Sequence, residues 1–244
     1  MKRLTFALSL VLALAGAAQA ATLTILTDDN PPFSYQDGKA VGGVATDVVR
    51  EMAKRAGIDI SIAIADLNES YSSTQAATDS CLYALARAPD REALFKWVGP
   101  LVSNKWAVYG KADFNEPVRS LYEMKKFRIA AESFDGRIDY LRQNGFNGIL
   151  QDDVDTRNPP RLFLKKEDAN YADLWLTGIY SAKKRAAAAK VPDLKLVYTL
   201  RDIPLYLACS AVTQKALIEK LTTALETMKK DGSLAKIQAK LVAP

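Results

Sequence analysis

The chain has 244 residues, 33 Lys plus Arg against 28 Asp plus Glu, and no histidine. That length suits two modest domains or one large one, with apolar content enough for a real core. The missing imidazole excludes Ser-His-Asp and Cys-His catalysis and any histidine-ligated metal, and two cysteines alone build no zinc site, so no cofactor is expected; the small, scattered basic excess makes no case for nucleic acid.

The N-terminus opens with Lys2 and Arg3, an apolar run over residues 4–18, and then Ala18-Gln19-Ala20. This is the pattern of a secretory signal peptide removed after Ala20, and the run is too short and wrongly flanked for a membrane span. No cysteine follows the cut, so no lipid anchor is expected. The mature protein is expected to start near Ala21 and to be soluble outside the cytoplasm. Losing Lys2 and Arg3 takes the formal net charge from +5 down by two, to about +3. In that oxidising setting Cys81 and Cys209 read first as one disulfide, with two separate buried thiols as the other reading.

Residues 22–26 read as a short buried strand. DDNPPFSYQDGKAVGG carries two prolines and a glycine turn and reads as a loop. Thr46 or Asp47 can cap a helix with Val48, Val49, Met52 and Ala56 on one face, ended by Gly57. Residues 58–64 alternate as a strand, and this β-loop-α-β opening points to an α/β sheet. Residues 80–85 form another apolar run, followed by a turn-and-helix signal in ARAPDREALFKW. Residues 106–109 read as a strand. Residues 127–131 read as another that runs into ESFDGRIDYLRQNG, where Asp135 can cap a helix carrying Ile138, Leu141 and Arg142. Residues 152–160 are a polar loop, and 174–179 a buried strand or short helix. An Ala/Lys helix over 183–190 is closed by Pro192, and its Lys183, Lys184 and Arg185 read as a solvated face. After a strand over 206–209, Thr213 caps an amphipathic helix with Leu217, Ile218, Leu221, Leu225 and Met228 inward. Gly232 stops it, and Ser233 starts a last short helix.

The order of these motifs resembles the family 3 extracellular solute-binding proteins, the polar-amino-acid type of periplasmic binding protein. PPF with a DG turn and a helix ending in glycine resembles the family's opening. In DSCLYALARAPDREALFKWVGPL, Asp79, Arg91, Trp97 and Pro100 fall where the family has an Asp-led strand, T-x-x-R and F-S-x-P-Y. LYLACS, the long helix and KKDGSLAKI resemble its end. The likeness covers nearly all of residues 22–241. It implies an α/β fold of the type II periplasmic-binding-protein kind, two α/β lobes joined by two crossing strands. Residues 21–103 and 206–244 would form lobe 1 and residues 104–205 lobe 2, with the ligand between them at the carboxyl ends of strands. It implies a monomeric binding protein, not an enzyme, that takes a small carboxylate-bearing ligand to a membrane ABC permease. A dehydratase-like enzyme and a sensory protein without a transport role are the alternatives.

The resemblance also implies site residues. Arg91 would fork onto the ligand's carboxylate, with backbone donors of Ala84 and Ala86 in support; a surface arginine paired with Asp90 or Glu92 is the plainer reading. Arg87 is either a second cation of the cleft or points to solvent. Ser133, Phe134, Asp135, Gly136 and Arg137 stand where relatives turn a helix N-terminus toward an anion, Gly136 permitting close approach and Asp135 serving as the cap. Asn30, Phe33 and Tyr35 come from the loop after the first strand. Asn30 stands where relatives carry a stacking aromatic, so that role passes to Tyr71 or Tyr83. Relatives that bind α-amino acids hold the ammonium with an aspartate whose position here is Gly178. That leaves Asp28, Asp29 or Glu132 for an ammonium, with the carboxylate as the firmer expectation. Finally, Cys81 and Cys209 both fall on strands of lobe 1, so their bridge would pin the returning segment there.

Overall fold

The computed structural model describes residues 22–133 and 136–241. The expected leader, and Phe134 and Asp135 of the candidate site, lie outside the described residues. In chain order, β1 (Leu23–Thr27) is followed by a hairpin of β2 (Tyr35–Asp37) and β3 (Ala40–Gly42), then α1 (Val44–Ala56), β4 (Ile60–Ile64), α2 (Leu67–Ala76) and β5 (Ser80–Ala86). The long β6 (Phe95–Lys111) leads to α3 (Leu121–Met124), β7 (Ile129–Glu132), α4 (Gly136–Gln143), β8 (Ile149–Asp152), β9 (Leu174–Gly178) and α5 (Ala182–Ala188). A second long strand, β10 (Leu194–Ser210), returns the chain to α6 (Lys215–Lys230) and α7 (Ser233–Gln238).

The main sheet has the order β4-β1-β5-β10-β6-β9-β7-β8. Parallel β4, β1 and β5 form one end, and parallel β9, β7 and β8 the other. Between them β6 and β10 run antiparallel to each other, 17 residues each. At about 3.3 Å per residue each is roughly 55 Å long, enough to pass through both ends. β5 pairs with β10 only from Leu205 onward, and β9 pairs with β6 only from Trp106 onward. Between those limits Ser103 faces Pro204, Asn104 faces Ile203 and Lys105 faces Asp202, so the two long strands hold only each other there. That segment is the hinge between two α/β lobes.

Each lobe has its own core. In lobe 1, Ile25, Cys81, Tyr83 and Cys209 on the sheet pack against Val48, Val49 and Met52 of α1 and Leu221, Leu225 and Met228 of α6. In lobe 2, Val108, Ile129 and Leu176 meet Ile138 and Leu141 of α4 on one face, and Trp175 and Ala130 meet Ala182 and Ala186 of α5 on the other. Burial on both faces suits the near-continuous apolar runs of these parallel strands.

Several local expectations are corrected. Neither Thr46 nor Asp47 caps α1: the helix starts at Val44 behind Gly43, whose φ of +123° and 2.2 Å approach of a would-be Cβ to the Phe33 carbonyl oxygen admit only glycine. Thr46 is inside the helix, its hydroxyl bonded to the Gly42 carbonyl and to the Tyr83 hydroxyl. Gly57 ends α1 in the left-handed conformation, as expected. Thr213 likewise caps nothing; its hydroxyl donates to the Thr78 carbonyl, tying the turn after β10 to the start of β5. The loop after β1 contains the β2–β3 hairpin. The turn-and-helix signal after β5 is a short 3-10 turn, Pro89–Leu94.

Candidate functional site

The carboxyl ends of β1 and β5 in lobe 1 face those of β7 and β9 in lobe 2, across the hinge. Contacts join the lobes here. The Phe33 ring meets Tyr180 edge-on at 6.0 Å, and the Lys184 ammonium lies 4.9 Å over the Tyr35 ring. The two lobes therefore touch across the cleft.

The loop after β1 is fixed from within. The buried Thr27 hydroxyl donates to Ser34 Oγ, which donates in turn to the Asp28 carbonyl. Asn30 pairs with Ser34 through the backbone and packs at the turn itself. Asp28 keeps a partly open surface but lies between the lobes, and that desolvation pushes its carboxyl above the ordinary value. A backbone hydrogen bond and the charge of Arg185 pull it back, while Asp29 and Asp66 push it further up.

This has a consequence for stability. With the folded-state value raised, the folded protein binds more protons than the unfolded chain between the two values. Stability then falls as pH rises from the unfolded value, about 3.9, through the folded one, and the penalty persists in full above it. Asp28→Asn is expected to raise the ligand-free unfolding midpoint at pH 7 and to flatten that slope. Thermal unfolding across a pH series checks it; a midpoint that drops at pH 7 refutes it.

β5 delivers the basic residues. Ala84, with φ of +60°, is the bulged residue left unpaired between the Tyr83–Leu207 and Leu85–Tyr206 pairs, and Ala86 closes the strand opposite Leu205. Arg87 donates from Nε to Glu92 at 2.6 Å and from a terminal nitrogen to the other carboxylate oxygen. Its guanidinium also lies 5.7 Å from the ring centres of Trp97 and Tyr206. Glu92 holds the Arg87 guanidinium above its ordinary value, and Arg87 holds the Glu92 carboxyl below its own. Arg87 is thus a strut across the turn rather than a spare cation. The turn it braces carries Arg91, whose guanidinium lies 5.6 Å over the Tyr71 ring and whose acidic neighbour among the described residues, Asp90, is 3.9 Å away. Tyr71 is itself held edge-on by Phe95 at 5.0 Å. Tyr83, by contrast, is fully buried in the lobe 1 core with its hydroxyl on Thr46, which corrects its expected stacking role.

Lobe 2 supplies Glu132 at the end of β7. It accepts from Arg185 at 3.4 Å and lies 4.0 Å from Arg137, which is buried. Ser133 follows, its backbone N–H on the Asp152 carbonyl, and exposed Gly136 opens α4. At the end of β9, Gly178 is buried, and a Cβ there would lie 2.9 Å from Asn104 Oδ1 and 3.0 Å from its Nδ2. An acid at 178 would have to displace the Asn104 carboxamide. Asp173, just before β9, takes the Arg128 backbone N–H and the Tyr171 hydroxyl and is structural.

The structure thus brings Asp28 and Tyr35 of lobe 1 to Arg185 and Lys184 of lobe 2, with Glu132 beside Arg185, while Arg91 packs over Tyr71 within lobe 1. The solvated-face reading holds for Lys183 and Lys184, both exposed, though Lys184 also reaches over Tyr35, and it is overturned for Arg185, which is half-buried between Glu132 and Asp28. A run of like charge gives no sign of that. Asn104 was not singled out by sequence at all, because a lone asparagine on a strand carries no motif.

Among the described residues, no helix is long and apolar enough to cross a membrane. The sequence pattern of the bacterial extracellular solute-binding proteins, family 3, matches residues 23–243. Comparison with curated protein sequences finds no match. Among solved structures, a histidine kinase sensor domain with similarity to periplasmic binding proteins superposes with a TM-score of 0.75 at 17% identity, covering 91% of this chain and 98% of that one. An ancestral arginine-binding protein bound to arginine gives 0.72 at 20% identity, over 91% and 98%. An ancestral amino acid-binding protein, a precursor of cyclohexadienyl dehydratase, gives 0.71 at 18% identity, over 90% and 94%.

Proposed function

The chain belongs to the bacterial extracellular solute-binding proteins of family 3, and from that premise we propose that it closes its two lobes on a small carboxylate-bearing molecule, an amino acid or related small acid, and delivers it to an ABC permease. One observation carries the carboxylate. Of the two arginines that follow β5, Arg87 is engaged by Glu92, while Arg91, in the 3-10 turn beyond the strand, has among the described residues no acid nearer than Asp90 at 3.9 Å. A guanidinium offers parallel N–H donors that match a carboxylate's two oxygens, and a closed cleft strengthens the pair by excluding water. Lobe 2 contributes the opposing wall through Ser133, Gly136, Glu132 and Arg185.

The ligand acts by preferring the closed form, which shifts the equilibrium between open and closed lobes. The protein works in the periplasm as a monomer after loss of its leader. It binds and releases without converting. Glu132, an acid at the end of β7, is ion-paired to Arg185 and Arg137. A sensory role is the second reading, favoured by the likeness to a histidine kinase sensor domain.

A thermal-shift screen of amino acids, dicarboxylates and uncharged sugars tests the class of ligand. A carboxylate at a hundred times its dissociation constant stabilises the protein by about 2.7 kcal/mol, a midpoint rise of several degrees. A rise with a sugar and none with any carboxylate refutes the reading.

A further inference from the structure

We infer that Asn104 contacts the ligand and sets its specificity: its carboxamide oxygen accepts from a neutral donor, a hydroxyl or amide N–H, on the small molecule held between the lobes. The inference rests on the solute-binding reading above and narrows its ligand to carboxylates whose second polar group is uncharged.

Asn104 occupies the hinge. It faces Ile203 in the stretch where β6 and β10 pair only with each other, between the two half-sheets. It is 9% exposed, and its Oδ1 has no hydrogen-bond partner among the described residues. Buried acceptors are nearly always bonded, so an orphan of this kind calls for a partner that comes and goes. The other orphaned side chains among the described residues, Ser70, Thr74, Asn158, Trp175, Thr177 and Ser210, lie within one lobe or the other, and only Asn104 lies on the crossing segment.

Its surroundings fit this role. Gly178 has no side chain, and the carboxamide of Asn104 occupies the place where one would start, 2.9 Å from a would-be Cβ. Ser181 Oγ reaches the same point at 3.1 Å, but its hydroxyl donates to the Gly178 carbonyl and does not serve Asn104. The 178–181 loop carries Tyr180, whose ring meets Phe33 of lobe 1, so the carboxamide lies beside the part of lobe 2 that touches lobe 1. The acid on this side, Glu132, is ion-paired to Arg185 and Arg137. A carboxamide oxygen has the geometry of an acceptor without the charge that favours an ammonium over a hydroxyl. A site built to bond a particular group rejects analogues strongly, because its own buried polar atom is otherwise left unpaired.

Two variants of the full-length mature protein, freed of bound ligand by unfolding, washing and refolding with the disulfide intact, test this. Asn104→Leu replaces the carboxamide with an apolar group of similar size. If the oxygen has no partner in the fold, the ligand-free midpoint should rise by about 2–4 °C. A lower midpoint shows that the carboxamide is bonded within the protein, and overturns the inference. The second arm uses two matched probe pairs, L-malate with L-aspartate and L-lactate with L-alanine. Wild type should bind a hydroxy acid at least tenfold more tightly than its amino partner, and Asn104→Asp should reverse that order. An amino acid preferred by wild type and equally preferred by Asn104→Asp overturns the specificity role. If Asn104→Leu stabilises and Asn104→Asp leaves the order of hydroxy and amino acid unchanged, the orphaned acceptor stands but its role in specificity is overturned, whereas a rise with a sugar and with none of the carboxylates screened fails the carboxylate reading itself.

Discussion

Replacing Arg91 with alanine is expected to weaken ligand binding by about a hundredfold or more while moving the ligand-free unfolding midpoint by no more than a degree or two. The size of the loss follows from removing one partner of a desolvated, hydrogen-bonded charge pair, which costs about 2–5 kcal/mol. The small effect on the fold follows from what Arg91 does in the free protein. Its side chain is 31% exposed, its nearest acid is 3.9 Å away, and its main packing is over the Tyr71 ring. An exposed cation–π contact of that kind contributes about 0.5–1 kcal/mol. The turn itself is held by Arg87 and Glu92, which the substitution leaves in place. Arg91→Lys separates charge from geometry. Lysine keeps the positive charge but cannot present two parallel donors, so most of the loss should persist. Titration calorimetry with a ligand identified by thermal shift decides the matter. Affinities within about threefold of wild type, less than 1 kcal/mol, would remove Arg91 from the site.

Much of the fold could be read from sequence where one signal and one structural role coincided. Val48, Val49 and Met52 recur at helical spacing ahead of Gly57, and α1 ends there because only a left-handed residue lets the last carbonyls bond back. Where a residue had two uses, the reading failed. Thr46 and Thr213 are good capping residues, yet both spend their hydroxyls on tertiary bonds, to Tyr83 and Thr78. α2 is rich in Ser and Thr, buries only Ser70 and Thr74, and has no apolar stripe to betray it; its one signal is Asp66, whose carboxylate takes the N–H groups of Asn68 and Glu69. The full length of β6 and β10 was hidden because Gly99, Pro100 and Pro204 punctuate them: Gly99 and Pro100 fall at the irregularity in the β6–β10 pairing, and Pro204 in the stretch where the two strands hold only each other. The site shows the same division. Arg91 and Arg87 lie in one short motif, and the strut from Arg87 to Glu92 is local enough to suspect. Lys184 and Arg185 meet Tyr35 and Asp28 only because the hinge sets one lobe against the other, and no spacing along the chain encodes that.

The disulfide gives the other large effect. Cys81 on β5 and Cys209 on β10 face each other directly, with Cα atoms 3.9 Å apart, and are joined. The other reading, two separate thiols, is set aside: no free cysteine is present among the described residues. The bridge closes a loop of 128 residues that contains all of lobe 2. In the chain-entropy model, a loop of that length restricts the unfolded chain enough to stabilise the fold by about 5 kcal/mol, an upper figure because unfolded chains keep residual structure. Breaking it should therefore lower stability by roughly 3–5 kcal/mol, with the larger part appearing as easier loss of the returning segment, β10 with α6 and α7, from lobe 1. Two perturbations separate cross-link from packing. Reduction keeps both sulfurs in the core, where each side chain is fully buried. The Cys81→Ala, Cys209→Ala double variant removes their volume as well and should fall further, by about 1–2 kcal/mol for two small cavities. Denaturant unfolding of oxidised, reduced and doubly substituted protein measures all three. A reduced protein within about 1 kcal/mol of the oxidised one would mean that the unfolded chain gains little freedom when the bridge opens. Since the bond pins β10 to β5 on the lobe 1 side of the hinge, ligand affinity should change far less than stability, and lobe 2 should remain free to swing.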